Sequence, residues 1–357
     1  MKVLVTGIEG YLGSLLAPVL TARGHTVVGL DTAYYRNGHL YNAPGNLPAV
    51  IVKDLRDVTA DDLRGFDAIV HMAELSNDPA GDLNPRITYE INHGGTVRLA
   101  RCAQKAGIER FVYMSSCSVY GIADTDEPLT EESAVNPKTA YAECKVLCER
   151  DLTLMAGDDF SPVFFRNSTA FGASPRQRFD LVVNNLCGLA WTTGKIAMTS
   201  DGSPWRPLVH GLDIAQGIAL ALEAPRETVH AEVFNVGANH QNYRVREIAE
   251  MVGEVFTGCE VTFGPSNGDN RSYKVNFDKI HRHLPEFECQ WDVKRGIQQM
   301  YALFKRIDMD EATFRYRAFT RLKQLQFLLK NGQIDENFYW QPCDAVFPPE
   351  PMVSVTA

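Results

Sequence analysis

The sequence predicts an α/β protein built on a doubly wound parallel sheet, with a smaller C-terminal substrate-binding lobe. Three observations carry that expectation: β-rich runs alternate with helical patterns through the first half, a glycine-spaced turn follows the first run, and an aspartate ends the second. The strand-like runs are 3–6, 26–30, 50–52, 68–72, 111–115 and 163–166. Helical spacing occupies 11–23, 86–106 and 141–155. Strands joined by crossover helices run parallel and bury both faces, so their ligands collect at the carboxyl ends.

The second half is less regular. Residues 179–193, 245–256 and 294–307 have helical spacing, and 195–198 and 233–236 read as strands. The expected organisation is a dinucleotide-binding domain over 1–172, completed by strands from about 206–237, a substrate lobe over 173–307 and an extension over 308–357. The extension opens basic and carries Phe319, Leu322, Leu325, Leu328 and Leu329 at helical spacing before a Pro-rich tail. It reads as a docked helix covering the core, with a dimer contact or an active-site cover as the alternative.

Composition narrows the function. A formal charge of -9 over 357 residues argues against a nucleic-acid partner, which needs a basic face. No apolar run reaches the ~20 residues of a membrane helix, and Met1-Lys2 lead directly into Val3, so neither a membrane nor a targeting segment is expected. Eight scattered cysteines without a CxxC pair read as reduced thiols of a cytoplasmic protein. His281 and His283 lack a third ligand, so no metal is expected.

Thr6-Gly7-Ile8-Glu9-Gly10-Tyr11-Leu12-Gly13 closes the first strand and opens the first helix. Gly7 permits the turn, Gly10 admits a pyrophosphate to the backbone, and Gly13 lets helix and strand pack closely. Asp31 stands where a carboxylate accepts from the adenosine ribose, which favours NAD over NADP, although Arg36 lies near. Asp54-Leu55 follow the third strand and reach toward the adenine, a position that a simple turn aspartate also fits.

Tyr141 and Lys145 lie four apart on one helical face. A phenol titrates near ~10, so a neighbouring ammonium is needed to make it a base at neutral pH. Upstream, Ser115-Ser116-Cys117-Ser118-Val119-Tyr120-Gly121 place hydroxyls at a strand end.

Together the TGxxGxxG turn, the SSxxVYG strand end and the YxxxK helix resemble the extended short-chain dehydrogenase/reductase family over about residues 1–305, nearest to its nucleotide-sugar 4-epimerases. Tyr141 follows Ser116 by 25 positions, as in that group. The resemblance implies NAD as cofactor, a nucleotide-diphosphate sugar as substrate, and a homodimer through the helices at 86–106 and 141–155. It implies Tyr141 as acid/base, Lys145 on the nicotinamide ribose and Ser116 on the reacting oxygen. Tyr11, Leu12, Ala73, Asn92 and Ser168 match its cofactor contacts, with helix packing as the other reading of Asn92. On the substrate side it implies Asn184-Asn185-Leu186, Arg206 and Arg271. Arg176 and Arg178 in the preceding loop suit a diphosphate, and Ser76 and Asn77 suit a sugar.

Several residues depart from the family pattern. Cys117-Ser118 replace the acid pair of 4,6-dehydratases, which disfavours dehydration. Thr169 replaces the usual Asn at a substrate position. Glu74 replaces a small residue near the cofactor, either to select an unusual sugar or to cap a loop. Cys117 either lines the pocket or adds an acid/base for 3- or 5-epimerisation. The expected activity is C4 epimerisation through transient oxidation. A 4-ketosugar reductase and an NAD-binding protein without catalysis are the rivals.

Overall fold

A computed structural model describes residues 1–42, 48–123, 125, 127–265 and 272–342. Seven parallel strands form its centre, in the spatial order Val233–Val236, Ser161–Asn167, Arg110–Ser116, Ala68–His71, Lys2–Thr6, Thr26–Asp31 and Ala49–Val52. Chain direction across the sheet reverses between Lys2–Thr6 and Ala68–His71, where Thr6 pairs with His71. A crevice opens at the carboxyl ends of strands at such a switch point.

Continuous apolar runs form these strands because both faces are covered. Val3 and Val5 point to one core with Val70, Val112, Phe165 and Ile218, and Leu4 points to the other with Ile69, Phe111 and Leu99. The helices Gly13–Ala22 and Gly211–Glu223 cover the first face; Thr96–Ala106 and Ala140–Met155 cover the second. No helix among the described residues is long and apolar enough to cross a membrane.

The stretch 86–106 is not one regular helix. It divides into Pro85–Thr88, a π-helical stretch Tyr89–Gly95 and Thr96–Ala106. In the wide turn Asn92 is fully buried and clamps Leu75, accepting from its N–H (2.8 Å) and donating to its carbonyl (3.1 Å). Gly95 passes so close to Leu55 that a Cβ there would meet Leu55 Cδ2 at 2.9 Å. Interruptions of this kind recur beside functional sites.

Trp205–His210 does not complete the main sheet. It pairs with Asn242–Arg244 and Thr169–Phe171 in a separate three-stranded sheet, and only Val233–Val236 joins the seven. The helices Val182–Thr193, Val245–Val255 and Val293–Arg306 pack beside that small sheet around Phe179, Leu208, Ile248 and Phe304. The extension forms Glu311–Arg315, Arg317–Phe319 and Arg321–Lys330. Leu325, Leu328 and Phe338 pack on Tyr34, Leu75 and Ile87, so it docks over the loops at the strand ends.

One charged clasp ties the first helix to the domain. Arg23 Nε lies 2.9 Å from Glu223 Oε1, Arg23 Nη2 2.5 Å from Oε2, and His25 Nε2 2.9 Å from Oε1. Hydrogen bonding from Arg23 pulls the Glu223 pKa down to about 2. A carboxylate whose folded pKa is depressed stabilises the fold above its unfolded value of 4.5, and that contribution disappears as pH falls from there to about 2. The clasp is about one third exposed at Glu223, which limits its worth to under ~1 kcal/mol. Glu223→Gln should therefore lower stability modestly at pH 6 in urea titrations and have no effect near pH 2. A pH-independent loss would contradict this.

Candidate active site

The turn after the first strand is shaped by its glycines. Gly7 has φ +73°, where side chains strain the backbone, and a Cβ on Gly13 would stand 2.4 Å from the Gly7 carbonyl oxygen. The helix Gly13–Ala22 that follows has neither a side-chain cap nor an acidic residue in its first turn. Its positive end therefore faces the groove without internal compensation, which fits an anion.

That groove runs from Asp31, Tyr34, Asp54 and Leu55, past Gly7, Gly10, Tyr11, Leu12 and Gly13, to Ala73, Glu74, Ser76 and Arg178. Asp31 accepts from the N–H groups of Glu9 (3.0 Å) and Ala33 (2.8 Å), which fixes its carboxylate at the mouth. Burial raises its pKa. Arg36 pairs with Glu9 at 3.0 Å rather than with Asp31. Asp54 caps the turn at Leu55 and holds Arg56, so both readings of it apply: it is a turn residue that lines the groove. A glycine cradle, an open helix end and a carboxylate at the ribose position together fit a dinucleotide, with Gly7, Gly10, Gly13 and Asp31 as its holders.

Tyr141 and Lys145 occupy the first turns of the helix Ala140–Met155, capped by Thr139, whose hydroxyl accepts from the Ala142 N–H at 3.2 Å. Ser116 ends the fifth strand, and its Oγ accepts from the Ser118 N–H at 3.1 Å. Lys145 is buried under the Tyr113 and Tyr141 rings and donates to the Met114 carbonyl. Burial raises the Tyr141 pKa; the Lys145 charge and the Ser116 hydroxyl act the other way.

Glu74 turns inward, toward the Tyr–Lys helix. Its carboxylate is buried against Lys145, 2.6 Å from Nζ, and accepts from the Tyr113 hydroxyl at 2.7 Å. Burial works against the ammonium, yet Glu74 holds the Lys145 pKa above its ordinary value. A Glu–Lys pair thus lies beneath Tyr141, at the inner end of the groove.

A second cleft adjoins the first across this cluster. Ser116, Asn167, Thr169, Arg206, Lys138 and Tyr273 line it. Strand alternation explains which residues reach it: Asn167 and Thr169 point in, and Ser168 between them is buried beside Gly237, so its side chain misses the groove. Cys117 is turned away as well. The residue is 1% exposed, its thiol donates to the Arg166 carbonyl at 3.1 Å, and burial pushes its pKa up to about 12.

Several expected substrate residues are engaged elsewhere. Arg176 donates to the Tyr35 and Arg36 carbonyls and holds the loop after the second strand. Asn184 bonds Gly172 and Arg178, Asn185 bonds the Phe179 carbonyl, and Leu186 is buried in the lobe core. Asn77 caps Asp78–Gly81 and donates to Asp180. Arg178 pairs with Asp180 at 2.9 Å and lines the cofactor groove. Asn92 is bonded to the Leu75 backbone, and it is Leu75 that lines the groove. Arg271 lies outside the described residues. Asn167, Lys138 and Tyr273 on the cleft, and Tyr35, Lys53 and Arg321 on the groove, had escaped the sequence reading. Asn167 was accessible from the alternation around Thr169; Arg321 had no local signal.

Residues 3–237 match the model described as the NAD dependent epimerase/dehydratase family. The chain is 28% identical over 334 residues to a UDP-glucose 4-epimerase of Bacillus subtilis, covering 85% of this chain and 95% of that one. It is 30% identical over 270 residues to a UDP-glucose 4-epimerase of Corynebacterium glutamicum, covering 71% and 80%. Among solved structures it resembles MoeE5 in complex with UDP-glucose and NAD, at a TM-score of 0.73 and 26% identity, covering 86% and 99%. The Thermus thermophilus UDP-glucose 4-epimerase complex with NAD gives 0.73 at 25% identity, covering 85% and 99%.

Proposed function

The chain belongs to the NAD dependent epimerase/dehydratase family, and from that premise we propose that it inverts C4 of a nucleotide-diphosphate hexose, a UDP-sugar first among them. The observation that carries this reading is the convergence of Tyr141, Ser116 and Lys145, with Ser116 on the second cleft and Lys145 paired to Glu74 at the end of the dinucleotide groove. Relatives that are UDP-glucose 4-epimerases support it.

NAD, held by Gly7, Gly10, Gly13 and Asp31, would supply reversible hydride chemistry at C4. Tyr141 takes the C4 hydroxyl proton and gives it back to the oxygen of the product. Ser116 donates to that same oxygen and fixes its position. Lys145 stabilises the phenolate against the burial that opposes it. Thr169, Arg206, Asn167 and Lys138 bind the sugar and its diphosphate from the second cleft. Ser118 and Cys117 offer no acid to expel a C6 hydroxyl, so the site favours epimerisation over dehydration. A cytoplasmic homodimer through the helices Thr96–Ala106 and Ala140–Met155 is the assembly we propose.

The test is incubation with UDP-, GDP-, CDP- and dTDP-hexoses without added reductant, with product stereochemistry read by NMR. A C4-inverted sugar without net NADH consumption is expected. A requirement for added NADH in every turnover, a 4-keto-6-deoxy product, or solvent deuterium at C3 or C5 would each overturn the reading.

A further inference from the structure

The cation beside the glycine turn comes from the other end of the chain. Arg321 opens the helix Arg321–Lys330, is 5% exposed, and lines the same groove as Gly7 and Gly10. Its guanidinium lies over the Tyr35 ring, 3.9 Å from the centroid, and a Cβ built on Gly10 would stand 3.9 Å from Nη2. Beyond that stacking, the guanidinium makes no hydrogen bond or ion pair with any described residue; only the backbone of Arg321 is bonded, to Asp180 and Tyr35.

That isolation sets Arg321 apart. Arg56 has Asp54, Arg166 has Glu149, Arg178 has Asp180, and Arg176 has two carbonyls. The carboxylates nearest Arg321 are already committed, Asp31 to two N–H groups and Asp180 to Arg178 and Asn77. A nearly buried guanidinium whose donors face the groove is suited to meet an anion there. Burial and the nearby Arg178 charge depress its pKa, against Asp180 and Asp31, which act the other way.

The extension holds Arg321 in that position through the adenosine end of the groove. Trp340 Nε1 donates to the Thr32 carbonyl at 2.6 Å, Arg56 Nη1 to the Asn337 carbonyl at 2.8 Å, and the Tyr34 hydroxyl to the Phe338 carbonyl. Arg56 also lies over the Tyr339 ring at 3.8 Å.

We propose that Arg321 is an anion-binding residue of the cofactor groove, donating to the diphosphate of the bound dinucleotide on the side of Gly10. The C-terminal extension is then part of the NAD site rather than a cover for the core. This rests on NAD as cofactor. Full-length protein freed of nucleotide, as wild type, Arg321→Met and Arg321→Lys, is titrated by calorimetry with NAD, NADP, ADP-ribose, adenosine and UDP, and its unliganded melting is recorded.

The expected result is an increase of about 10–100-fold in Kd for NAD and ADP-ribose in Arg321→Met, the range for one lost charged hydrogen-bond donor. Arg321→Lys should lie between, adenosine and UDP should be unaffected, and unliganded Arg321→Met should melt no lower than wild type. Equal NAD affinity overturns the proposal. So does a loss shared by adenosine, a loss confined to NADP or to UDP, or unliganded melting well below wild type in both variants. Wild type that binds no NAD would sink the cofactor reading instead.

Discussion

Tyr141→Phe should lower the rate of C4 inversion by about 10³-fold while leaving the Kd for NAD unchanged, the size expected when one positioned proton-transfer group is removed. The ring stays, so packing against Lys145 is retained and only the hydroxyl is lost. The pH profile provides the sharper check. Burial raises the Tyr141 pKa and Lys145 opposes it, so wild-type turnover should rise with pH as the phenol ionises. Whatever rate survives in the variant should lack that rise. An unchanged profile would mean that another group moves the proton.

The second large effect concerns Glu74. Its carboxylate and the Lys145 ammonium are buried together at 2.6 Å, with side-chain exposures of 2% and 5%. Removing one member of a buried pair strands the other charge, a change that costs about 3–5 kcal/mol. Glu74→Gln should therefore destabilise the protein by roughly that amount in urea titrations, although Gln preserves the size and an acceptor for Tyr113. Lys145→Met should do the same from the opposite side. The double variant should be much less destabilised than the two losses added, because no uncompensated charge is left. Additive losses would mean that the two groups do not depend on each other.

These two residues also mark what the sequence could reveal. Tyr141 and Lys145 are legible because four positions on a helix put them on one face whatever surrounds them. The glycine turn is legible because a side chain would strain the backbone at Gly7 and collide at Gly13. Glu74 was visible as an oddity, but its partner is Lys145, 71 positions on, and no local pattern joins them. The burial of Cys117 and Ser168 was hidden for a simpler reason. A motif fixes the order of residues at a strand end, whereas the twist of the backbone there decides which side chains turn into the core.

By itself, the sequence determined what short-range sterics and periodicity dictate: the parallel sheet, the phosphate-holding turn and the Tyr–Lys helix face. Only the tertiary structure decided that Arg176, Asn184 and Asn185 brace loops, that Glu74 pairs with the charged Lys145, and that Arg321 reaches the glycine turn from the far end of the chain. Those outcomes depend on which groups meet across long chain separations and on whether a buried charge finds a partner, and neither is written in the spacing of neighbouring residues.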